Sequence, residues 1–585
     1  MSDIKTFLID DNRISGITDQ ITMAVKKGPS SSVIQSYKQV SNSSSSCLFN
    51  VSVPSENTLV NRNLRINTTL QMRVVFKANA GAAVPINAIP AAFPLNSGIS
   101  SASVTINNTK LSVQTEDIMP TLLKQYQQEF LSKHVSTTPS YVDKYWGSLG
   151  DAGVDERPSS YFSGVVYAEK DSNVAARADC DFELILYTEA GAVAPLVNDE
   201  PTIPSGASAG YYADIKIKVS EPILGLPTFE LKDHEAAFMG VNNIELTLQF
   251  NDCKHVLYFN AATEALIDSR GPGTLKDNAS STFLDDAAKL TVNYLTLHPS
   301  DYSKMMPKNV IPYNEFINYK STQSITLATA STTFISNQVQ LRQVPDKIYI
   351  SVSPTYSNLP TTVSNHLCFP LSKLGITFNN RANLLSEMDS YDLYMMSKRN
   401  GSNQSYNEFR GVVRNYNGAQ FLSLGSVIVI DPRDLSLDDY LASGSIGQFS
   451  LQVQAEVSKF FATTVFGTVT ELPCQMNIIC SYGGVLVTQQ GSSASMSGLL
   501  TKNLVLETKE NGNSIGDSEE VTELSAGNVG RSLTSLVNVL NKKGRKVAKK
   551  NLDKLSSKLD GGYGMSAGSY QVSGGAKGSR LSKYM

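Results

Sequence analysis

The chain is poor in the residues that carry chemistry. It holds five histidines, six cysteines and a single tryptophan, Trp146. The cysteines (Cys47, Cys180, Cys253, Cys368, Cys474, Cys480) are scattered, with no Cys-x-x-Cys pair. That excludes a dense disulfide framework and points to free buried thiols in a reducing compartment. No apolar run approaches the ~20 residues needed to span a bilayer. The N-terminus, MSDIKTFLIDDNRISG, lacks the basic and apolar regions of a signal peptide. The expectation is a protein made in the cytosol, neither secreted nor membrane-spanning. Sequons such as Asn42-Ser-Ser and Asn400-Gly-Ser are then incidental. Charged residues make up only 18% of the chain and the net charge is −3, which alone implies no polyanionic partner.

Catalytic constellations are missing as well. His234-Glu-Ala-Ala-Phe238 begins like a zinc-protease helix, but Phe238 stands where the second imidazole is required. Cys253 and His255 sit two apart near a strand end, where a packing thiol beside a solvated imidazole is favoured over a metal pair. Gly444-Ser-Ile-Gly447 is not a nucleophile elbow, and Gly574-Gly-Ala-Lys-Gly-Ser579 lacks P-loop spacing. Asp431, Asp434, Asp438 and Asp439 cluster locally, as solvated loop acids do. The expectation is no enzyme, no metal and no cofactor.

What the chain does have is strand-and-turn chemistry: 25 Tyr, 22 Phe and many Ser, Thr, Asn and Val. One phrase occurs twice. Val104-Thr-Ile106-Asn107-Asn108 and Ile376-Thr-Phe378-Asn379-Asn380 are alternating strands that run into an Asn-Asn turn. Each is followed by Leu111 or Leu384 and then by a helical stretch, about Met119–His134 in the first case and about Leu384–Met396 in the second. The 272 residues between Asn107 and Asn379 far exceed a solenoid period of roughly 20–50. Two copies of a whole β domain are implied.

The alternation divides the chain. Residues 1–45 read as an arm and 46–298 as a first sandwich; 299–322 reads as a linker and 323–499 as a second sandwich. Ile244/Leu246/Leu248 and Phe449/Leu451/Val453 match in pattern. They lie 137 and 70 residues beyond the hairpin asparagines, so the first copy carries 67 extra residues. These are assigned to a Gly/Pro/Ala-rich loop insertion at about 135–215.

Residues 500–585 differ again. An acidic linker leads into 526–558, where Leu533, Leu536, Val537, Leu540, Val547, Leu552 and Leu555 recur at helical spacing. Between them lie Lys542, Lys543, Arg545, Lys546, Lys549, Lys550, Lys554 and Lys558. From Ala526 to Met585 there are 12 basic and 2 acidic residues, +10 in all, which leaves −13 on the body. Such a segment suits nucleic-acid phosphates, an anionic membrane or a partner groove. A solvated helix or a disordered tail is the alternative, and Gly544 weakens the helix.

Several segments in this order resemble the double jelly-roll major capsid proteins of polinton-like viruses, virophages and larger DNA-virus relatives. They are Val53–Arg62, Pro222–Phe229, Met239–Leu246, Phe378–Ser386 and Asp392–Ser397, within a resemblance covering roughly 46–490. The resemblance implies an all-β fold of two eight-stranded jelly rolls with short helices in the loops. It also implies homotrimers of pseudo-hexagonal outline that tile an icosahedral shell in the virion, assembled inside the host cell. Minor capsid or penton proteins would be partners. The basic tail would face inward, toward genome DNA, an inner membrane or a minor capsid protein.

Leu559-Asp-Gly561-Gly562-Tyr563 resembles the sites cut by adenovirus-type maturation proteases, with scission after Gly562; a helix ended by glycines is the alternative. A glycan-binding or adhesive β-sandwich protein is the competing function. A jelly-roll glycosidase is a weaker rival, because it would need paired acids and stacking aromatics.

Overall fold

The computed structural model describes most of residues 31–501, with Phe7–Leu8 and Met23–Ala24 before them; the longest internal stretches outside the description are 135–180, 297–308 and 459–468. In chain order the first half contains strands β1 (Ser31–Asn42), β2 (Ser46–Ser52), β3 (Arg65–Phe76), β4 (Ile99–Ile106) and β5 (Thr109–Val113), then helix α1 (Thr115–Gln125). Strands β6 (Phe182–Tyr187), β7 (Tyr212–Glu221), β8 (Asn243–Phe250) and β9 (Lys289–Thr296) follow. The second half contains β10 (Asn309–Thr326), β11 (Ser331–Ile335), β12 (Val339–Gln343), β13 (Lys347–Pro354), β14 (Leu371–Phe378) and β15 (Arg381–Leu384). After these come α2 (Ser390–Arg399), β16 (Ile428–Ile430), β17 (Ser445–Ser458), β18 (Glu471–Gln489) and β19 (Ser492–Ser497).

Each half is a sandwich of two antiparallel sheets. In the first, β1-β9-β3-β7-β6 faces β5-β4-β8-β2, and the long β1 continues from one sheet into the other. In the second, β10-β18-β13-β16 faces a sheet centred on β17, which pairs with β11, β12 and β14, while β15 pairs with β14. Strict alternation builds the first core. Ile66, Leu70, Met72, Val74 and Phe76 of β3 are buried, as are Ile244, Leu246 and Leu248 of β8. Period-2 patterning puts all of them on one face.

Seven strands of each half correspond in order. The order β1-β9-β3-β7 matches β10-β18-β13-β16, and β5-β4-β8 matches β15-β14-β17. This corrects the register read from sequence. The backbone N–H of Asn107 donates to Asn243 O and that of Asn379 to Ser450 O. Asn243 therefore corresponds to Ser450, and Ile244 to Leu451 rather than Phe449. The intervals become 136 and 71 residues, a difference of 65.

Other boundaries shift as well. Ser31–Asn42 lay within the expected arm, and Asn309–Thr326 overlaps the expected linker; both are strands paired along much of their length. Their prolines and polar residues hid them: Pro312 and the Ser/Gln positions of β1 lie on solvated or edge positions. The expected insertion at 135–215 contains β6 and the start of β7, both hydrogen-bonded into the main sheet. Both helices are displaced from the apolar spacing. α1 begins at Thr115, before Met119, and breaks at Tyr126; residues 127–130 lie outside the described residues and Leu131 is again helical. α2 starts at Ser390, where Asp389 caps it through Tyr391 N and Asp392 N, and runs to Arg399.

Candidate assembly interface

The second sandwich presents its β10-β18-β13-β16 sheet to the first, so this sheet is buried on both faces. Ile348, Ile350, Ile428, Ile430, Ile478 and Cys480 point into the second core. Their neighbours Tyr349, Val429 and Ile479 point the other way and belong to the core of the first sandwich. Ile348-Tyr-Ile350, Ile428-Val-Ile430 and Ile478-Ile-Cys480 are continuous apolar runs for that reason; a one-faced strand would alternate. Each large apolar side chain buried this way contributes about 1.5–3 kcal/mol. The continuity of these runs is the sequence signal for the seam, and alternation-based reading passes over it.

Helix α1 provides the polar part of the seam. One face, with Ile118 and Leu122, packs into the first sandwich, where Gly225 (φ +84°) makes room: a Cβ there would lie 2.9 Å from Ile118. The other face crosses to the second sandwich. Asp117 accepts from Lys320 Nζ at 2.6 Å and from Gln475 Nε2 at 3.3 Å. Lys124 Nζ donates to the His366 carbonyl at 3.3 Å, and Asn403 N donates to the Lys124 carbonyl at 2.9 Å. Burial, aided by the neighbouring Asp117, raises the Glu116 carboxyl above its ordinary range; a hydrogen bond from Asn251 opposes this.

Two further contacts pin the ends of the seam. Lys254 Nζ donates to Ser357 O at 2.9 Å, and His255 Nε2 lies 3.4 Å from Tyr356 O. Elsewhere Ser493 N donates to Asn108 Oδ1 at 2.8 Å and Gly491 N to Gly240 O at 3.1 Å. The second residue of the first Asn-Asn turn therefore reaches the other sandwich.

Cys253 and His255 are both fully buried, so His255 is not the solvated imidazole expected from sequence. Burial pushes the Cys253 thiol up and drives the His255 imidazole down to about 3. Among the described residues no group of three His, Cys, Asp or Glu is placed to hold a metal. Asp431 bonds Arg433 at 2.8 Å, and Asp434 takes Arg399 and Asn400, each at 2.6 Å; these contacts order a short 3-10 turn. His234, Asp438, Asp439, the basic residues Lys542–Lys558 and the Leu559–Tyr563 segment lie outside the described residues. No helix among the described residues is long and apolar enough to cross a membrane.

Comparison with known proteins agrees with this architecture. Residues 2–295 match the family described as Sputnik virophage major capsid protein 1st domain, half of the chain. The chain belongs to the virophage major capsid protein family. Residues 313–484 match the major capsid protein V20 C-terminal domain. Over 515 residues the chain is 26% identical to the capsid protein V20 of Sputnik virophage, covering 84% of this chain and 80% of that one. In fold it is similar to a chain of the Sputnik virophage cryo-EM structure (TM-score 0.69, 20% identity, 88% of this chain and 97% of that one). It is also similar to the mavirus major capsid protein (TM-score 0.63, 15% identity, 86% and 98%). This virophage major capsid protein is thus a double jelly roll, a structural protein of the virion. The boundary between the two family matches, 295 to 313, falls just before or within the first residues of β10, where the second sandwich begins.

Proposed function

We propose that this major capsid protein assembles as homotrimers of pseudo-hexagonal outline, and that these trimers tile an icosahedral shell. The observation that carries the reading is the seven-strand correspondence of two sandwiches packed through a broad apolar seam. Two similar units per chain let three chains imitate six, with closed cyclic symmetry. Packing two sheets face to face also limits open strand edges, which suits a tile that must not polymerise at random. Extended packing surfaces rather than a reactive cleft fit a structural and non-enzymatic role.

The basic segment Lys542–Lys558 would face the shell interior and meet genome DNA, an inner membrane or a minor capsid protein. Cleavage after Gly562 by a viral maturation protease would release the last residues. A minor capsid or penton protein would complete the lattice, with assembly inside the host cell.

Mass photometry of the purified chain tests the central claim. A particle of three 63.4 kDa chains is expected. A monomer at every concentration up to tens of micromolar, with sugar-dependent binding on a glycan array, would replace this reading with the adhesive one.

A further inference from the structure

We propose that the exposed face of α2 seats on the outer face of the β1-β9-β3-β7 sheet of a second copy, with Asp392 of one chain paired to Lys38 of the next. The proposal rests on the trimeric reading above and assigns the contact that closes it.

A second repeat links the two sandwiches. Ile34-Gln35-Ser36-Tyr37-Lys38 of β1 and Phe316-Ile317-Asn318-Tyr319-Lys320 of β10 occupy the same place in their sheets. Tyr37 lies opposite Leu290 and Tyr319 opposite Ile478. Each tyrosine hydroxyl bonds a tyrosine four residues further along the central strand: Tyr37 to Tyr294 at 2.7 Å, and Tyr319 to Tyr482. Lys38 is therefore the counterpart of Lys320.

The helices match in the same way. Asp117 is the third residue of α1 and Asp392 the third of α2; each precedes a fully buried apolar residue, Ile118 or Leu393. Lys124 and Arg399 are the tenth residues. Asp392 is therefore the counterpart of Asp117.

Occupancy separates the two sets. Asp117 and Lys320 hold each other across the seam within one chain. Asp392 and Lys38 are exposed, and Asp392 Oδ2 takes the Asp389 backbone N–H of its own capping box at 3.5 Å. Beside Asp392, Tyr391 and Met395 are 51% and 46% exposed; on the outward row of β1, Ile34 and Val40 are 68% and 64% exposed. Aromatic and Met residues on a helix face are the composition of an interface centre. Lys38 also lies directly opposite Lys289, which is exposed too. Like charges facing each other across a strand pair are unfavourable until an acid joins them. Glu387, Asp389 and Asp392, all exposed around the N-terminus of α2, offer that charge.

Within a chain, the helix of sandwich one sits on the sheet of sandwich two. The helix of sandwich two then finds the equivalent sheet only on the next copy. Repetition of this head-to-tail step closes after three chains if each seam turns by roughly 60°.

Charge reversal tests the pairing in the full-length chain. Asp392→Lys and Lys38→Glu should each raise the concentration at which trimers half-dissociate by about tenfold or more. The double variant should restore most of the loss, because the two effects are coupled. Lys38→Glu monomers should melt at or slightly above wild type, because the new carboxylate would face Lys289. Asp392→Lys also removes the capping-box acceptor of Asp389 N and should melt lower. Recovery of the trimer in the double variant, not of the melting temperature, is therefore the readout. Tyr391→Ser combined with Met395→Ser should weaken the trimer without any change of charge. Wild-type trimers from the single variants, or a double variant no better than the two losses added, would overturn the pairing and leave the trimeric reading standing. A wild-type chain that never trimerises would instead remove that reading.

Discussion

The imidazole of His255 stands edge-on against the ring of Tyr356, centroids 4.7 Å apart and planes at 86°, with one residue from each sandwich. The contact is dry. Burial, reinforced by nearby Lys254, holds the imidazole neutral down to about pH 3, far below its ordinary 6.5. The unfolded chain therefore takes up a proton that the folded chain refuses between those two values. The stabilisation linked to this group is complete above about pH 6.5 and is lost as pH falls from there toward 3.

Acid should thus loosen the protein through its seam. Urea unfolding at pH 7.5, 6 and 5 is expected to show the stability advantage of wild type over His255→Gln shrinking at each step. Comparison with the variant removes the opposite contribution of Glu116, whose raised carboxyl pKa favours the folded state as pH falls. A pH-independent difference between the two chains would show that His255 is not the linked group.

Two glycines with the same backbone twist should respond differently to alanine. Gly425 has φ +84°, and a Cβ there would lie 2.0 Å from the Cys368 carbonyl oxygen. Gly444 has φ +81° with nothing within 4 Å. Gly444→Ala should cost only the conformational penalty of about 1–2 kcal/mol. Gly425→Ala must also move backbone at the seam and should lower the soluble yield sharply. Equal melting temperatures for the two variants would contradict the clash.

The hairpin asparagines should be costly to replace. Asn107 and Asn379 adopt φ of 53° and 52°, and each Oδ1 accepts a backbone N–H at 2.8 Å, from Asn242 and Ser450 respectively. Alanine loses the acceptor and strains the turn, about 1–3 kcal/mol together at either site. Aspartate keeps the acceptor and should cost less at Asn379. Chemical denaturation of the four variants checks the order.

Intact-mass measurement of the chain from purified virions examines the tail. Cleavage after Gly562 is expected to leave a chain ending there. A mass corresponding to Met585 as the last residue would end the proteolytic assignment.

The two-domain β architecture was legible because buried strand faces alternate, and because each Asn-Asn turn needs a residue that tolerates the left-handed region. The first strand of each sandwich was not. β1 leaves Val33, Ile34 and Val40 exposed, and β10 carries Pro312, so neither shows a buried stripe. Their shared Tyr-Lys phrase, at Tyr37-Lys38 and Tyr319-Lys320, was in the sequence all along and marks them better than hydropathy does. The seam was hidden for a different reason. Runs such as Ile428-Val-Ile430 look like any buried strand until the second covering layer is known. α1 and α2 carried no hint of partnership, because Asp117 and Asp392 differ in environment and not in local pattern.

The place of β18 in the chain sets an order of events during synthesis. β18 is hydrogen-bonded to β10 along its whole length and to β13 over its first part, and it supplies Ile479 to the first core. It ends at Gln489, after every other long strand has left the ribosome. Until then β10 and β13 lack the strand that joins them, and the first sandwich lacks the wall that covers it. A chain that stops early keeps those surfaces open and stays visible to chaperones and proteases. Only a polypeptide read through to its last long strand can close both cores, so the connectivity of the fold ties completion of the subunit to completion of the chain.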